Sequence, residues 1–249
     1  MSIFERFASA FTLSSDEDVR WEREGGLILK LARESGAGKQ RVLDLACGNG
    51  FHARHLALAG CHVTALDISK ATLQTGRGLR GGKDVRWRVG DIAEPFKGTY
   101  DLILLVGNTL SLIREVETVR RLMVNVSSAL CDEGILLLHA IDYGYLRAHP
   151  VHFQRRGEIE GSVVTFDKRI DPHDGGALIT IRVKEESDAG TQSETRTEVL
   201  HEWSSQVVAS EAGRAGFVLR SEYGGLDASP REPGRSKDAV FVFRKDRSK

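Results

Sequence analysis

Residues 42–50 read VLDLACGNG. Val42, Leu43 and Leu45 are spaced as a short buried strand, which Gly48 and Gly50 break into a turn. A helix is expected to follow from about Phe51 to Ala59, stopped by Gly60. A strand that feeds a helix through such a turn brings unpaired backbone N–H groups and the positive helix end to one point. Glycine, lacking a Cβ, lets a ligand approach that backbone closely. The turn lacks a full G-x-G-x-x-G, so it announces a nucleotide-type ligand without saying which.

The surrounding chain repeats the pattern. HVTALDIS (62–69) is a strand ending in Asp67, and VRWRVGD (85–91) is a strand ending in Asp91. YDLILLVGN (100–108) and GILLLHAID (134–142) are apolar on both faces, with helices expected from Lys70 and from about Val116 to Leu130. Strands of this kind alternating with helices define a parallel sheet covered on both sides, over roughly residues 40 to 142. Upstream, Ile3, Phe4, Phe7 and Phe11, and then Leu27, Leu29 and Leu31, mark two helical pieces. Ser15 and Asp16 supply N-cap chemistry for the second, and Gly36 and Gly38 punctuate its end.

After Pro150 the period changes. GEIEGSVVTFDKRID, ALITIRVKEES and TRTEVLHEW alternate apolar and polar residues, with turns at DPHDGG and SDAGTQ. They predict a three-stranded antiparallel meander with one polar face. A helix over Ser205 to Arg214 and a pair of antiparallel strands, GFVLRSEYGG and DAVFVFRK, finish the chain. The expected division is therefore 1–150 for the N-terminal helices and α/β core, 151–203 for the inserted meander, and 204–249 for the return to the core.

Composition removes several classes. Lys plus Arg and Asp plus Glu both number 35, so the basic excess of a nucleic-acid-binding domain is missing. Cys47, Cys61 and Cys131 are odd in number and form no C-x-x-C pair, which argues against a zinc site or a disulfide framework and for reduced thiols in the cytoplasm. No metal-ligand cluster is evident, and no apolar run approaches the ~20 residues that span a bilayer. The expected partner is a small molecule, with the meander's exposed edges offering a surface for a homodimer.

The acidic residues narrow the ligand. Asp67, ending the second strand, can accept both hydroxyls of a ribose, which a dinucleotide and S-adenosylmethionine share. Asp91, beside apolar Ile92, can accept an adenine amino group. Asp44 lies two residues before the turn, where it would repel a diphosphate and attract a cation. The sulfonium and ammonium of S-adenosylmethionine are both cationic, so the electrostatics favour it over NAD.

VLDLACGNG, VTALDIS, GDIAEP and YDLILLVGNTLSLI together resemble, in order and spacing, the motifs of the class I S-adenosylmethionine-dependent methyltransferases, over about residues 40 to 142. The resemblance implies a Rossmann-like α/β fold: a seven-stranded sheet with its last strand antiparallel, and here the meander inserted after the fifth strand. It implies that Ala46 and Gly48 contact the methionine portion, with Gly50 completing the turn. Asp67 and Ile68 would meet the ribose and adenine, Asp91 and Ile92 the adenine edge and face, and Val106 would offer its carbonyl to the methionine amino group. Ala46 departs from the glycine common at its position.

The acceptor is less marked. Gly107-Asn108-Thr109-Leu110 lacks the Asn/Asp-Pro-Pro-aromatic run of enzymes that methylate nucleic-acid or protein amide nitrogens. It is similar to the turn of small-molecule N-methyltransferases acting on glycine, sarcosine or amino sugars, where Asn108 would orient cofactor or acceptor or only shape the turn. His139, after the fifth strand, and His201, ending the meander, are candidate bases weighed against structural roles. Tyr143, Tyr145 and Arg147 are candidate pocket residues. Arg20, Trp21 and Arg23 either close over the methionine carboxylate or form a solvated helix face. Cys47 has no base signposted beside it and reads as packing.

The expected reaction is in-line methyl transfer to nitrogen, or to oxygen, of a small molecule. A non-catalytic subunit binding S-adenosylmethionine or S-adenosylhomocysteine is the rival from another class. An NAD(P)-dependent oxidoreductase is the rival among enzymes.

Overall fold

The computed structural model describes residues 7–36 and 38–246, so Ile3 and Phe4 lie outside the described residues. A 3-10 helix, Ala8–Ser14, precedes α1 (Glu17–Glu34). The core then alternates: β1 (Arg41–Leu45), α2 (Phe51–Leu58), β2 (His62–Asp67), α3 (Lys70–Gly78), β3 (Val85–Val89), β4 (Tyr100–Leu105). The short α4 (Thr109–Leu112) and α5 (Val116–Ala129) lead to β5 (Leu130–Ile141) and α6 (Tyr143–Ala148). Four antiparallel strands follow: β6 (Val151–Ile159), β7 (Ser162–His173), β8 (Gly176–Ser187) and β9 (Gly190–His201). Then α7 (Ser205–Arg214), β10 (Phe217–Tyr223) and β11 (Asp238–Lys245) complete the described chain.

The seven-stranded sheet has the order β10-β11-β5-β4-β1-β2-β3. β1, β2, β3, β4 and β5 run parallel, and β11 enters antiparallel between β5 and β10. The sequence dictates a two-sided sheet because apolar residues fill both parities of the central strands. Leu43, Leu45, Ile103, Leu105, Leu136 and Leu138 face α5 and α7. Val42, Leu102, Leu104, Ile135 and Leu137 face α1 and α2. Each such side chain contributes about 1.5–3 kcal/mol when fully buried, and within 42–45, 102–105 and 135–138 Asp44 alone is polar. Helix α1 starts where the sequence places its cap: Asp16 accepts a hydrogen bond from Val19 N at 3.3 Å.

The second sheet has four strands, in the order β6-β7-β8-β9, and not three. The stretch GEIEGSVVTFDKRID, read as one strand, contains a hairpin. Ile159 pairs with Ser162 across a two-residue turn in which Glu160 and Gly161 both have positive φ (50° and 81°). That backbone usually carries Asn-Gly or Asp-Gly, so the Glu at the first position concealed it. The inner face of this sheet packs Val164, Phe166, Ile181 and Val183 on Phe7 and Ala10 of the N-terminal segment. Its base packs Ile170, Ala177 and Leu200 on Tyr143 and Leu146 of α6. It is hinged to the core by Trp203, whose indole N–H meets the carbonyls of Leu110 and Ile113 at 3.1 Å each. No helix among the described residues is long and apolar enough to cross a membrane.

Candidate active site

Open parallel sheets collect ligands at the carboxyl ends of their strands, and here β1, β2 and β4 deliver the residues singled out above. Ala46 takes a left-handed backbone (φ 49°), so the tight turn is made without the usual glycine. Gly48 (φ 58°) is surrounded by open space, with no atom within 4 Å of where a Cβ would stand. Gly50 (φ 71°) differs, since a Cβ there would drive into the Trp87 ring. Gly48 is thus open on the side a Cβ would take, while Gly50 lets α2 start against β3.

Asp67 holds the turn. Its carboxylate accepts from Gly48 N at 2.8 Å and from Ser69 N at 2.9 Å, so it also orders the entry to α3, which Ser69 caps. Each oxygen keeps a further lone pair for a hydroxyl. Next to it Ile68 is 71% exposed, an apolar side chain awaiting a flat cover. Asp91 is exposed and accepts from Ala93 N at 2.8 Å, leaving its other oxygen outward. Ile92 and Val106 are half-buried and pack on the core.

Asp44 is buried beneath the turn and accepts from Ala53 N at 3.2 Å. Burial pushes its carboxyl up to about 7, with Asp67 adding to the shift, while Ala53 N–H and Arg20 oppose it. Burial, with Asp44 and Asp67 nearby, also pushes the Cys47 thiol well up, so it is a poor nucleophile. The three cysteines are free.

A cavity of about 600 Å³ lies at the carboxyl ends of β4 and β5, and none of its lining residues belongs to the turn after β1. Gly107, Asn108, His139 and Ile141 form the floor at the ends of β4 and β5, and α1 lends Arg20, Arg23 and Glu24. Val151, Phe153, Lys168 and Ile170 of the second sheet roof it, and Asp227, Lys237 and Asp238 come from the chain around β10 and β11. Of the predicted acceptor residues, Asn108, His139 and Tyr145 line this cavity. Asn108 stands at the N-cap of α4, but its side chain caps nothing there. His139 Nδ1 lies 3.0 Å from Gly107 N and 3.3 Å from the Gly107 carbonyl oxygen, and its Nε2 is 3.4 Å from Asp238 Oδ1.

Other candidates fall elsewhere. Tyr143 is buried and donates to the His201 carbonyl at 3.1 Å, Arg147 pairs with Glu202 at 2.8 Å, and neither lines the cavity. His201 lies outside it too, its Nε2 buried without a partner. Trp21 stacks on His55 at 4.8 Å, away from the cavity, whereas Arg20 lies 4.1 Å over the Phe51 ring.

Glu24 was not singled out in the sequence. It is 5% exposed, and it accepts from Arg20 at 3.0 Å, Arg23 at 2.9 Å and His52 at 2.9 Å. Burial raises its pKa, but these partners together hold the carboxyl far below the usual carboxylate range. Burial in turn drops His52 to about 4 despite the Glu24 hydrogen bond. The α1 cations facing the cavity are therefore fixed in place by a buried anion. Nothing local in the sequence marks Glu24, since i, i+4 Arg–Glu pairs are ordinary on helices.

The fold is that of the class I S-adenosylmethionine-dependent methyltransferases, which the chain resembles. Residues 42–134 match the family described as "Methyltransferase domain". The glycine/sarcosine N-methyltransferase of Halorhodospira halochloris is 31% identical over 157 residues, 57% of this chain and 56% of that protein. The cypemycin N-terminal methyltransferase of Streptomyces sp is 27% identical over 231 residues, 88% of each chain. The solved sugar N-methyltransferase KedS8 from Streptoalloteichus sp superposes with a TM-score of 0.74 at 17% identity, covering 93% of both chains, a likeness of fold. The chain spans only about half the length of the glycine/sarcosine enzymes it matches.

Proposed function

We propose that the protein moves a methyl group from S-adenosylmethionine to the nitrogen of a small-molecule amine. The observation that carries this reading is an open glycine turn after β1, anchored by Asp67, beside β4 in the sheet, where Gly107 and Asn108 follow β4 and line a cavity with His139. The residues fit the cofactor: Gly48 leaves room for the methionine portion, Asp67 has free lone pairs for ribose, and exposed Ile68 offers an apolar face to adenine. When bound, the cofactor supplies an electrophilic methyl and its own leaving group. The protein's part is alignment and exclusion of water, so a deep cavity matters more than a strong base. His139 fits a positioning role, because its Nδ1 is engaged by the Gly107 backbone and its Nε2 lies 3.4 Å from Asp238. Arg20, fixed by Glu24, is suited to the methionine carboxylate, and the amide of Asn108 to the acceptor. The names of the relatives favour nitrogen: glycine or sarcosine, a peptide N-terminus and an amino sugar.

The test is release of S-adenosylhomocysteine over a panel of amines and matched alcohols. Turnover of amines alone is expected. Turnover of alcohols alone would replace nitrogen with oxygen, and cofactor binding with no turnover on any panel member would favour a regulatory subunit.

A further inference from the structure

The alternation of β7 contains one misfit. Val164, Phe166 and Ile170 point into the molecule and are buried, and by the same period Lys168 points with them. Its cross-strand neighbours are Phe153 on β6 and Ile181 on β8. A lysine on an apolar stripe loses hydration without gaining a core contact, so it weakens the roof unless something compensates. No acidic side chain pairs with it among the described residues, and its ammonium faces the cavity.

The other charges on that wall are accounted for. Arg20 and Arg23 are bound by Glu24. Asp238 sits with His139, and Asp227 accepts from Ser229 N at 3.1 Å. Among the described residues Lys237, like Lys168, forms no ion pair, and both line the cavity. The cavity thus presents four cations against three carboxylates, and the two unpaired cations sit on one side, at the roof and the start of β11.

We propose that Lys168 and Lys237 form an anion subsite, so that the methyl acceptor is an amine that also bears a carboxylate or phosphate group. This rests on the methyltransferase reading above and adds the chemistry of the acceptor's far end. The physical state of Lys168 agrees: burial, with Arg20 and Lys237 nearby and Asp238 opposing, pulls its ammonium below the usual lysine range. An anion seated between the two lysines would favour its charged form.

The experiment compares matched acceptors on the full chain with S-adenosylmethionine: glycine against glycinamide, and phosphoethanolamine against ethanolamine. The anionic member of one pair is expected to have a kcat/KM about tenfold higher or more, and which pair responds separates carboxylate from phosphate. Lys168→Met should raise KM for that acceptor about tenfold with kcat little changed, leave its neutral analogue unaffected, and be partly rescued by Lys168→Arg. In parallel, acetate and inorganic phosphate are titrated calorimetrically into the enzyme loaded with S-adenosylhomocysteine, where one should bind and Lys168→Met should abolish it. Preference for the neutral amines, an equal loss on all acceptors, or weakened S-adenosylhomocysteine binding in Lys168→Met would overturn the subsite. Lys168-dependent anion binding with no methyl transfer to any amine would instead overturn the proposed function and leave the subsite standing.

Discussion

The two halves of the site are built on opposite principles. On the donor side, the turn after β1 is held by backbone: Gly48 N–H reaches Asp67, and Ala53 N–H reaches Asp44. On the acceptor side, side chains from α1, the second sheet and the chain around β11 converge on one cavity. A backbone cradle demands a fixed local spacing of glycines and acids, and so tolerates little variation. A wall of side chains can be rebuilt one residue at a time, because each is set by its own strand. The donor should therefore be shared across the fold while the acceptor varies.

The largest effect expected from separating the halves lies in the roof. Phe166, 1% exposed, stacks edge-on against Phe11 at 5.2 Å. Phe166→Ala should cost about 3–5 kcal/mol locally, reduce acceptor turnover severely, and leave S-adenosylhomocysteine affinity within about twofold. Calorimetric binding beside activity checks this, and an equal loss of both would erase the distinction. Next, Asp67→Ala removes two backbone anchors and the proposed ribose acceptor. A loss of cofactor affinity on the order of 100-fold is expected, with acceptor KM at saturating cofactor nearly unchanged.

A pH dependence should mark the donor side alone. The Asp44 carboxyl, raised to about 7, keeps a proton in the folded protein that the unfolded chain releases near its ordinary value. Its contribution to stability is therefore greatest at acid pH and is lost as pH rises through about 7. A ligand carrying an ammonium reverses the preference, since it favours the ionised form. Affinity for S-adenosylhomocysteine should climb up to about tenfold per pH unit below 7 and flatten above it, and Asp44→Asn should flatten the whole profile. Titrations between pH 5.5 and 8.5, about 1.5 units either side of the inflection, suffice. Folding is a poorer readout, because His52, depressed to about 4, adds stability with rising pH over part of the same window.

The smallest effect distinguishes two glycines. Gly48→Ala meets open space but must hold a positive φ, at about 1 kcal/mol, and should weaken the cofactor about fivefold while barely moving the melting temperature. Gly50→Ala meets Trp87, so its melting temperature should fall further than that of Gly48→Ala. The reverse order would exchange their assigned roles.

The same contrast explains what could be read in the chain. VLDLACGNG, Asp67 and Asp91 are legible because a strand, a turn and an acid have fixed offsets, and the parallel sheet follows from apolar residues at both parities. The hairpin at Glu160-Gly161 was hidden because Glu rarely takes a positive φ, so two strands were read as one. Glu24 is silent because its meaning comes from His52, which arrives from another helix. Lys168 did leave a signal, a charge at an inward position of β7, but only the assembled roof shows that this position opens on a cavity.

The placement of β11 between β5 and β10 has a consequence for synthesis. The donor turn and its acidic partners are complete once β1 to β4 have left the ribosome. The cavity also takes Lys237 and Asp238 from the beginning of β11. A chain lacking β11 would therefore keep the local anchors of the turn after β1 while losing one wall of the cavity.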